Sequence, residues 1–264
     1  MTAEEFSREF DVLYNNIASS SAPNIDEYEK SVYLTKAQLE LVKNTFNPLG
    51  NKYNRGFEQS SKRRNDLSSL VKPYNTSRIM NIPREQKLSG DSIIFAIPDD
   101  VFLIIYERAF SKDKRLCGVN TKESKALKIK PLTHDEFDTL EKNPFKKPDE
   151  DLAWRVDSTF TPELRIGENV EEESIPRMLE IISEYSIDTY SMRYVKYPQP
   201  IILTDLRVSF PGEGLSIDGE SKKQTRRLNK GIHPEILNRA VELADHDYKG
   251  GNFQTRIQVN QRDE

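Results

Sequence analysis

The chain has 264 residues, of which 36% are hydrophobic and 31% charged, and its 39 Lys and Arg against 43 Asp and Glu give a formal net charge of −4. This balance disfavours a protein that wraps DNA, because phosphate contacts need a clustered positive field. A single cysteine, Cys117, excludes an intrachain disulfide, and no apolar run approaches the roughly 20 residues of a membrane span.

Residues 1–75 have the pattern of a helical region. The acidic start lacks the basic and apolar parts of a signal peptide, so we expect a soluble protein made in the cytoplasm. Thr2 with Glu5 predicts a capping box, and Asn24 with Glu27 predicts a second helix start. Residues spaced three and four apart predict two antiparallel helices: Phe6, Phe10, Leu13 and Ile17 in the first, and Tyr28, Val32, Leu39, Val42 and Phe46 in the second, with Thr35 filling the middle position.

A third, shorter helix is predicted from Glu58 to Val71, closed by Pro73. From about residue 76 the pattern alternates as in strands. Residues 92–97 and 101–106 are predicted to form a hairpin. Further strands are predicted at 126–129, 152–156, 163–166, 191–196, 201–203 and 206–210, with a helix opened by the Thr133–Glu136 capping box and another at 175–185.

The C-terminal part is predicted to contain an exposed loop at 212–229 and a strong helix that starts at His233 and ends at Gly250. After it, Thr255 to Asn260 alternates like a lone strand with no local partner. We expect an arm that adds to the sheet of a neighbouring subunit.

These elements predict an α+β fold. It consists of an N-terminal helical hairpin, a mixed, mainly antiparallel sheet domain with a few helices, and an extended C-terminal arm. The predicted regions are 1–75, 76–251 and 252–264. The residues predicted to contact other subunits lie on the second helix and on the arm: Tyr28, Val32, Leu39, Phe253, Ile257 and Val259.

The residues give little sign of catalysis, and we predict no catalytic residue, metal or cofactor. His134 and His233 have adequate roles at helix starts. The alternative is a metal-dependent hydrolase that uses Asp245, His246 and Asp247, although such a site needs further ligands.

A second alternative is a DNA-binding accessory protein. Its basic residues would be Lys62, Arg63, Arg64, Lys222, Lys223, Arg226 and Arg227. No aromatic residues interleave with the first cluster, as they do where proteins stack on bases, so a solvated surface is favoured there.

Several segments together resemble one family. They are the start Met1–Phe6 with 11–16, Asp26–Ser31 with 34–38, Thr133–Glu136 with 142–145, Tyr194–Leu203, and Pro234–Ala244. In order and spacing they resemble the structural ring proteins of crAss-like phages, and the resemblance covers nearly the whole chain. None of these segments carries a catalytic mechanism.

The resemblance implies a virion protein in the barrel between portal and tail, made in the host bacterial cytoplasm. Identical subunits would form a closed ring of twelve around the channel through which DNA passes without sequence-specific binding. Each subunit would contact lateral copies, adjacent ring proteins, and portal or tail proteins, with no membrane involved.

Overall fold

The computed structural model describes residues 1–17, 24–47, 57–116, 123–143, 145–158, 177–225 and 228–248. The chain forms two compact units, which divide at Leu70 and at Tyr197. One contains Met1–Leu70 together with the chain from Pro198 onward, and the other contains Val71–Tyr197. The division into regions 1–75, 76–251 and 252–264 stays a prediction.

The α+β class is confirmed. In chain order the helices and strands of the described residues are α1 (Ala3–Ile17), α2 (Glu27–Phe46), α3 (Ser61–Leu67), β1 (Val71–Thr76), β2 (Ile79–Met80), β3 (Ile93–Ile97), β4 (Val101–Ser111), β5 (Lys125–Leu132), α4 (His134–Glu141), β6 (Leu152–Ser158), β7 (Arg177–Ile182), β8 (Thr189–Lys196), α5 (Leu206–Ser209) and α6 (His233–Tyr248).

Reciprocal capping bonds fix the starts of three helices. At α1 the Thr2 amide donates to Glu5 Oε2 over 2.8 Å and the Glu5 amide donates to Thr2 Oγ1 over 3.2 Å, as predicted. The predicted box at Thr133 and Glu136 also forms, at α4. The second start was misplaced by two residues, because Asp26 with Glu29, not Asn24 with Glu27, makes the capping box of α2.

The buried face of α2 differs from the predicted apolar seam. Val32 is 38% exposed, whereas Ser31, Thr35 and Gln38 are buried. Their side chains bind the extended backbone of residues 199–203: Leu203 N donates to Ser31 Oγ, Ile201 N donates to Thr35 Oγ1, and Gln38 Nε2 donates to the Gln199 carbonyl, at 3.1, 3.1 and 2.9 Å. The helix therefore uses polar side chains to satisfy a buried backbone segment.

Helix α6 is the centre of the helical packing in this unit. It packs against both α1 and α2, more extensively than those two pack against each other. The predicted hairpin of α1 and α2 is thus part of a group of three helices. The predicted apolar face of α6 is confirmed, since its members are all buried: Ile236, Leu237, Ala240, Val241, Leu243 and Ala244.

The second unit is built on one eight-stranded sheet, in the order β1-β8-β4-β5-β6-β7-β3-β2. Every neighbouring pair is antiparallel except β5 and β6. A parallel pair needs a crossover connection, and α4 lies in the chain between β5 and β6. Its Phe137 packs edge-on against the buried Trp154, with ring centroids 6.1 Å apart.

The two ends of this sheet are joined by one continuous segment, 71–80. Its first part, β1, pairs with β8, and its second part, β2, pairs with β3 at the other end of the strand order. The Tyr74 hydroxyl of β1 also donates to the Ala96 carbonyl of β3 over 3.2 Å. The sheet therefore curls until it closes on itself, and the core inside draws side chains from β3 to β8.

Three predicted elements or pairings were wrong, and one predicted helix is shorter than expected. The strands β3 and β4 form as predicted but do not pair with each other, because β3 pairs with β2 and β7 while β4 pairs with β5 and β8. The predicted helix 175–185 contains strand β7, the predicted strand 206–210 contains helix α5, and the predicted helix 58–71 ends at Leu67.

Two further predictions concern Pro73, expected to close a helix, and residues 201–203, expected to form a strand. Pro73 lies inside β1, which among the described residues has no second ladder partner at that point and therefore tolerates the missing amide hydrogen. Residues 201–203 form only a single bridge, between Ile202 and Gln224. The strands predicted at 163–166 and 255–260 lie outside the described residues.

The capping box of α2 gives a direct test of the observed helix start. We expect Asp26→Ala to lower the free energy of unfolding by about 1 kcal/mol, because the Glu29 amide loses its acceptor at 2.7 Å. Asn24→Ala, at the start predicted from sequence, is the matched control and should change it by less than about 0.5 kcal/mol. Urea denaturation followed by circular dichroism measures both, and equal effects would contradict the assignment.

Candidate assembly interface

The edge of β4 at residues 102–107 is the most unusual backbone feature of the sheet. On one side β4 pairs with β8 along its length, with bulges at Phe102 and Ile105. On the other side it pairs with β5 only from Arg108 to Ser111. Beyond Lys128, β5 pairs with β6 on its far side. Within the described part of the chain, the side of 102–107 that faces β5 therefore has no ladder partner; we call these residues the free edge.

Five of the six residues of the free edge, 102–106, have apolar or aromatic side chains that are only partly covered. Phe102, Leu103, Ile104 and Ile105 are half-buried, and Tyr106 is 44% exposed with the Arg108 guanidinium 4.9 Å from its ring centroid. Exposed strand edges are commonly protected by proline, lysine, bulges, inward-pointing charges or a covering element. The free edge has bulges at Phe102 and Ile105 but neither proline nor lysine between 102 and 106.

Buried charged groups lie behind this edge. Glu107 Oε2 accepts a hydrogen bond from the Tyr190 hydroxyl at 2.8 Å and lies 3.4 Å from Arg155 Nη1, while both charged side chains are largely buried. Burial raises the pKa of Glu107, although Arg155 and the Tyr190 hydroxyl oppose this. On the other side Arg155 lies 3.7 Å from Asp157, whose second oxygen accepts from Arg177 at 2.6 Å.

Large apolar side chains are exposed in both units. Phe145, in the turn after α4, is 96% exposed. In the other unit, Val208 of α5 is 76% exposed and Val12 of α1 is 59% exposed. Single exposed apolar residues are ordinary on a monomer, but a fully exposed phenylalanine is also typical of the anchors that insert into a partner.

The predicted contact residues of α2 occupy different environments. Tyr28 is half-buried, with its ring edge-on to Phe210 at 6.4 Å, and Leu39 is half-buried too. Val32 is exposed and so is available to another molecule. Phe253, Ile257 and Val259 lie outside the described residues. Contact of these six residues with other subunits stays a prediction.

A cavity of about 340 Å³ lies within the first unit. Its lining includes Gln38, Pro200, Ile201, Gln224 and Ile236. Among the described residues, the buried Nε2 atom of Gln224 has no hydrogen-bond partner. The backbone of Gln224 forms a bridge with Ile202, which fixes the position of this residue at the cavity.

Comparison with known proteins decides the family. The profile of the phage tail ring protein 3/4 family matches residues 1–255. The chain is 39% identical to "Ring protein 4/5" of Bacteroides phage crAss001, over all of both proteins. It is also 37% identical to "Ring protein 3" of the same phage, over 92% of this chain and 95% of that protein. The chain belongs to the phage tail ring protein 3/4 family.

Membership of the tail ring family confirms the resemblance seen in the sequence segments and identifies a phage structural protein of the ring type. "Ring protein 4/5" matches along the full chain, so the match includes the residues of both units. Within the described residues, no helix is long and apolar enough to cross a membrane.

The residues of the hydrolase alternative do not form a metal site in the part of the chain that the structure describes. No group of three or more metal-ligating side chains occurs among those residues. His246 Nδ1 lies 3.8 Å from Asp247 Oδ1, and Asp247 Oδ2 accepts from the Tyr33 hydroxyl at 3.3 Å. These residues thus connect the end of α6 with α2.

Several basic residues of the DNA-binding alternative are engaged by protein groups. Lys62 pairs with Glu235, Arg63 donates to the Thr45 carbonyl, and Lys223 pairs with Glu4. Arg226 and Arg227 lie outside the described residues. Lys62, Arg63 and Lys223 therefore form part of the protein's own ion pairs and hydrogen bonds.

The network behind the free edge predicts a pH-dependent effect. Folding raises the pKa of Glu107, so the folded state favours the protonated carboxyl group. The stability that this protonation contributes is fully present below the pKa of Glu107 in the unfolded chain. It is lost as the pH rises through the pKa of Glu107 in the folded chain. The Tyr190 hydroxyl favours the ionised form, so Tyr190→Phe raises this pKa further. We expect Tyr190→Phe to lower the free energy of unfolding by about 2 kcal/mol at pH 7 and by about 1 kcal/mol at pH 4.

Tyr74→Phe is the matched control, because the Tyr74 hydroxyl donates to a backbone carbonyl and not to a carboxylate. Its cost should be the same at both pH values. Denaturant titrations at pH 4 and pH 7 measure the difference. An effect of Tyr190→Phe that does not grow with pH would contradict the assigned hydrogen bond.

Proposed function

We propose that this protein is a non-enzymatic subunit of the phage head-to-tail connector, the neck or tail barrel, where twelve copies form a closed ring. The full-length similarity to two ring proteins of one phage carries this proposal. A ring of identical subunits uses head-to-tail interfaces, in which two different surfaces of the subunit meet.

The proposed neighbours are copies of this chain at the sides, and other ring proteins, the portal or tail proteins above and below. DNA passes through the opening without sequence-specific binding, which a net charge of −4 supports because it favours no strong retention on phosphates. The protein is made in the host bacterial cytoplasm and resides in the virion.

The surface chemistry supports assembly by protein contact. A chain with a mean hydropathy of −0.72 nevertheless leaves Phe145, Val208 and the free edge uncovered. Interfaces are enriched in aromatic and large apolar side chains at their centres. The proposed arm at 252–264, with Phe253, Ile257 and Val259, adds a second apolar element that needs a partner.

Light scattering across a concentration series tests this function. We expect the full chain to form one discrete species whose mass is a whole multiple of 30.6 kDa. Deleting 252–264 should raise the concentration needed for assembly by about tenfold or more, since each subunit loses a contact worth at least about 1.4 kcal/mol. Circular dichroism should show that the deleted chain remains folded.

Addition of the portal complex serves as the control for assembly that a partner triggers. A chain that stays monomeric at all concentrations, with and without the portal complex, would contradict the ring. A shortened chain that assembles like the full chain would instead contradict the role of the arm and leave the ring intact.

A further inference from the structure

We propose that the free edge of β4 receives the C-terminal arm of a second copy of this chain as an added antiparallel or parallel strand. This inference rests on the proposed function, because it supplies the contact by which one subunit holds the next. It names both partners of that contact: residues 102–107 as the acceptor and residues 252–264 of a neighbour as the donor.

The backbone around the free edge carries the first part of the argument. The segment 71–80 closes the sheet between β8 and β3, so those strands have partners on both sides. On its other side, β4 pairs with β5 only as far as the pair formed by Arg108 and Lys128. The six residues 102–107 are therefore a run of strand with backbone groups free on one side among the described residues, and such groups bind an added strand through main-chain hydrogen bonds.

The side chains make the free edge selective for an apolar strand. Four of its residues are half-buried and apolar, and Tyr106 projects from the surface. Aromatic and β-branched side chains opposite one another stabilise neighbouring strands. A partner with β-branched residues at alternating positions would cover this surface.

The arm has that pattern. Apolar residues stand at Phe253, Ile257 and Val259, Thr255 completes the alternation, and polar residues occupy the positions between them. The stretch 252–262 contains neither proline nor an acidic residue, either of which would weaken pairing in an added strand. Its alternating part, 255–260, has six residues, as does the free edge.

The length of the arm permits contact with another molecule. Helix α6 ends at Tyr248, which leaves 264 − 248 = 16 residues. Fully extended, these reach about 50 Å, at roughly 3.3 Å per residue. A contact between an arm and a different surface of the next copy is head-to-tail, and its repetition closes a ring when the rotation from one copy to the next divides a full turn. If the arm instead bound the free edge of its own chain, the contact would not link one subunit to the next.

Hydrogen exchange measured by mass spectrometry tests the contact without requiring a ring. The recipient is the full chain with Ile257→Asp and Val259→Asp, which disable its own arm. The probe is a synthetic peptide of residues 250–264. We expect the peptide to slow exchange in 102–107 by at least about tenfold, because free amides become hydrogen-bonded. Exchange in β8, which is paired on both sides, should not change.

Two matched controls define the outcome. A peptide with the same two aspartates should not protect 102–107, and Tyr106→Lys in the recipient should abolish protection, whereas Val208→Lys, at an exposed position outside the sheet, should not. Absence of protection by the unmodified peptide, or equal protection by both peptides, would overturn the proposal. Because this experiment uses single chains, its failure would leave the ring itself to be judged by light scattering.

Discussion

Closure of the sheet by residues 71–80 is the constraint on which the second unit depends. This one segment pairs with β8 through β1 and with β3 through β2, so the strands next to the two ends of the order, β8 and β3, pair with the same stretch of chain. Closure encloses the large side chains, among them Phe95 stacked on Tyr190 at 5.9 Å. It also pairs the outer sides of β8 and β3, strands that would otherwise be the open edges of the sheet.

A closed sheet confines strand addition to places where the ladder is interrupted. The separation of β4 from β5 beyond Arg108 is such a place, and the bulges at Phe102 and Ile105 bend the strand there. Behind it, Glu107 and Arg155 occupy an interior otherwise filled by apolar side chains. An assembly that uses this edge would couple the added strand to a region held by a buried ion pair and by the Tyr190 hydroxyl.

Sequence patterns predict the structural features that are determined by residues close together along the chain. The capping boxes at Thr2 and Thr133 and the apolar face of α6 could be predicted, because each is defined within a few turns of helix. The buried face of α2 could be predicted only in part: Thr35 and Val42 lie on the predicted seam and are buried. Ser31 and Gln38 are polar and lie off the seam, and they are buried because a backbone segment more than 160 positions away needs their hydrogen bonds.

Strand β7 also could not be predicted from local spacing, which indicated a helix. Met178, Ile181, Ile182 and Tyr185 have helical spacing, yet five consecutive residues of β7 are buried because both faces of the strand are covered. One of them is Glu180, whose carboxylate accepts from Ser92 and from the Leu88 amide. A buried glutamate gives no signal in the sequence. For the candidate interface, the apolar composition of β4 was visible, but its free edge depends on where β5, β6 and β8 pair.

Imaging of the assembled species by electron microscopy tests the central claim most directly. The account predicts closed rings with a central opening, a single rotational symmetry and, at higher resolution, a strand from each subunit lying along 102–107 of the next. Open filaments, or isolated subunits even in the presence of the portal complex, would contradict it.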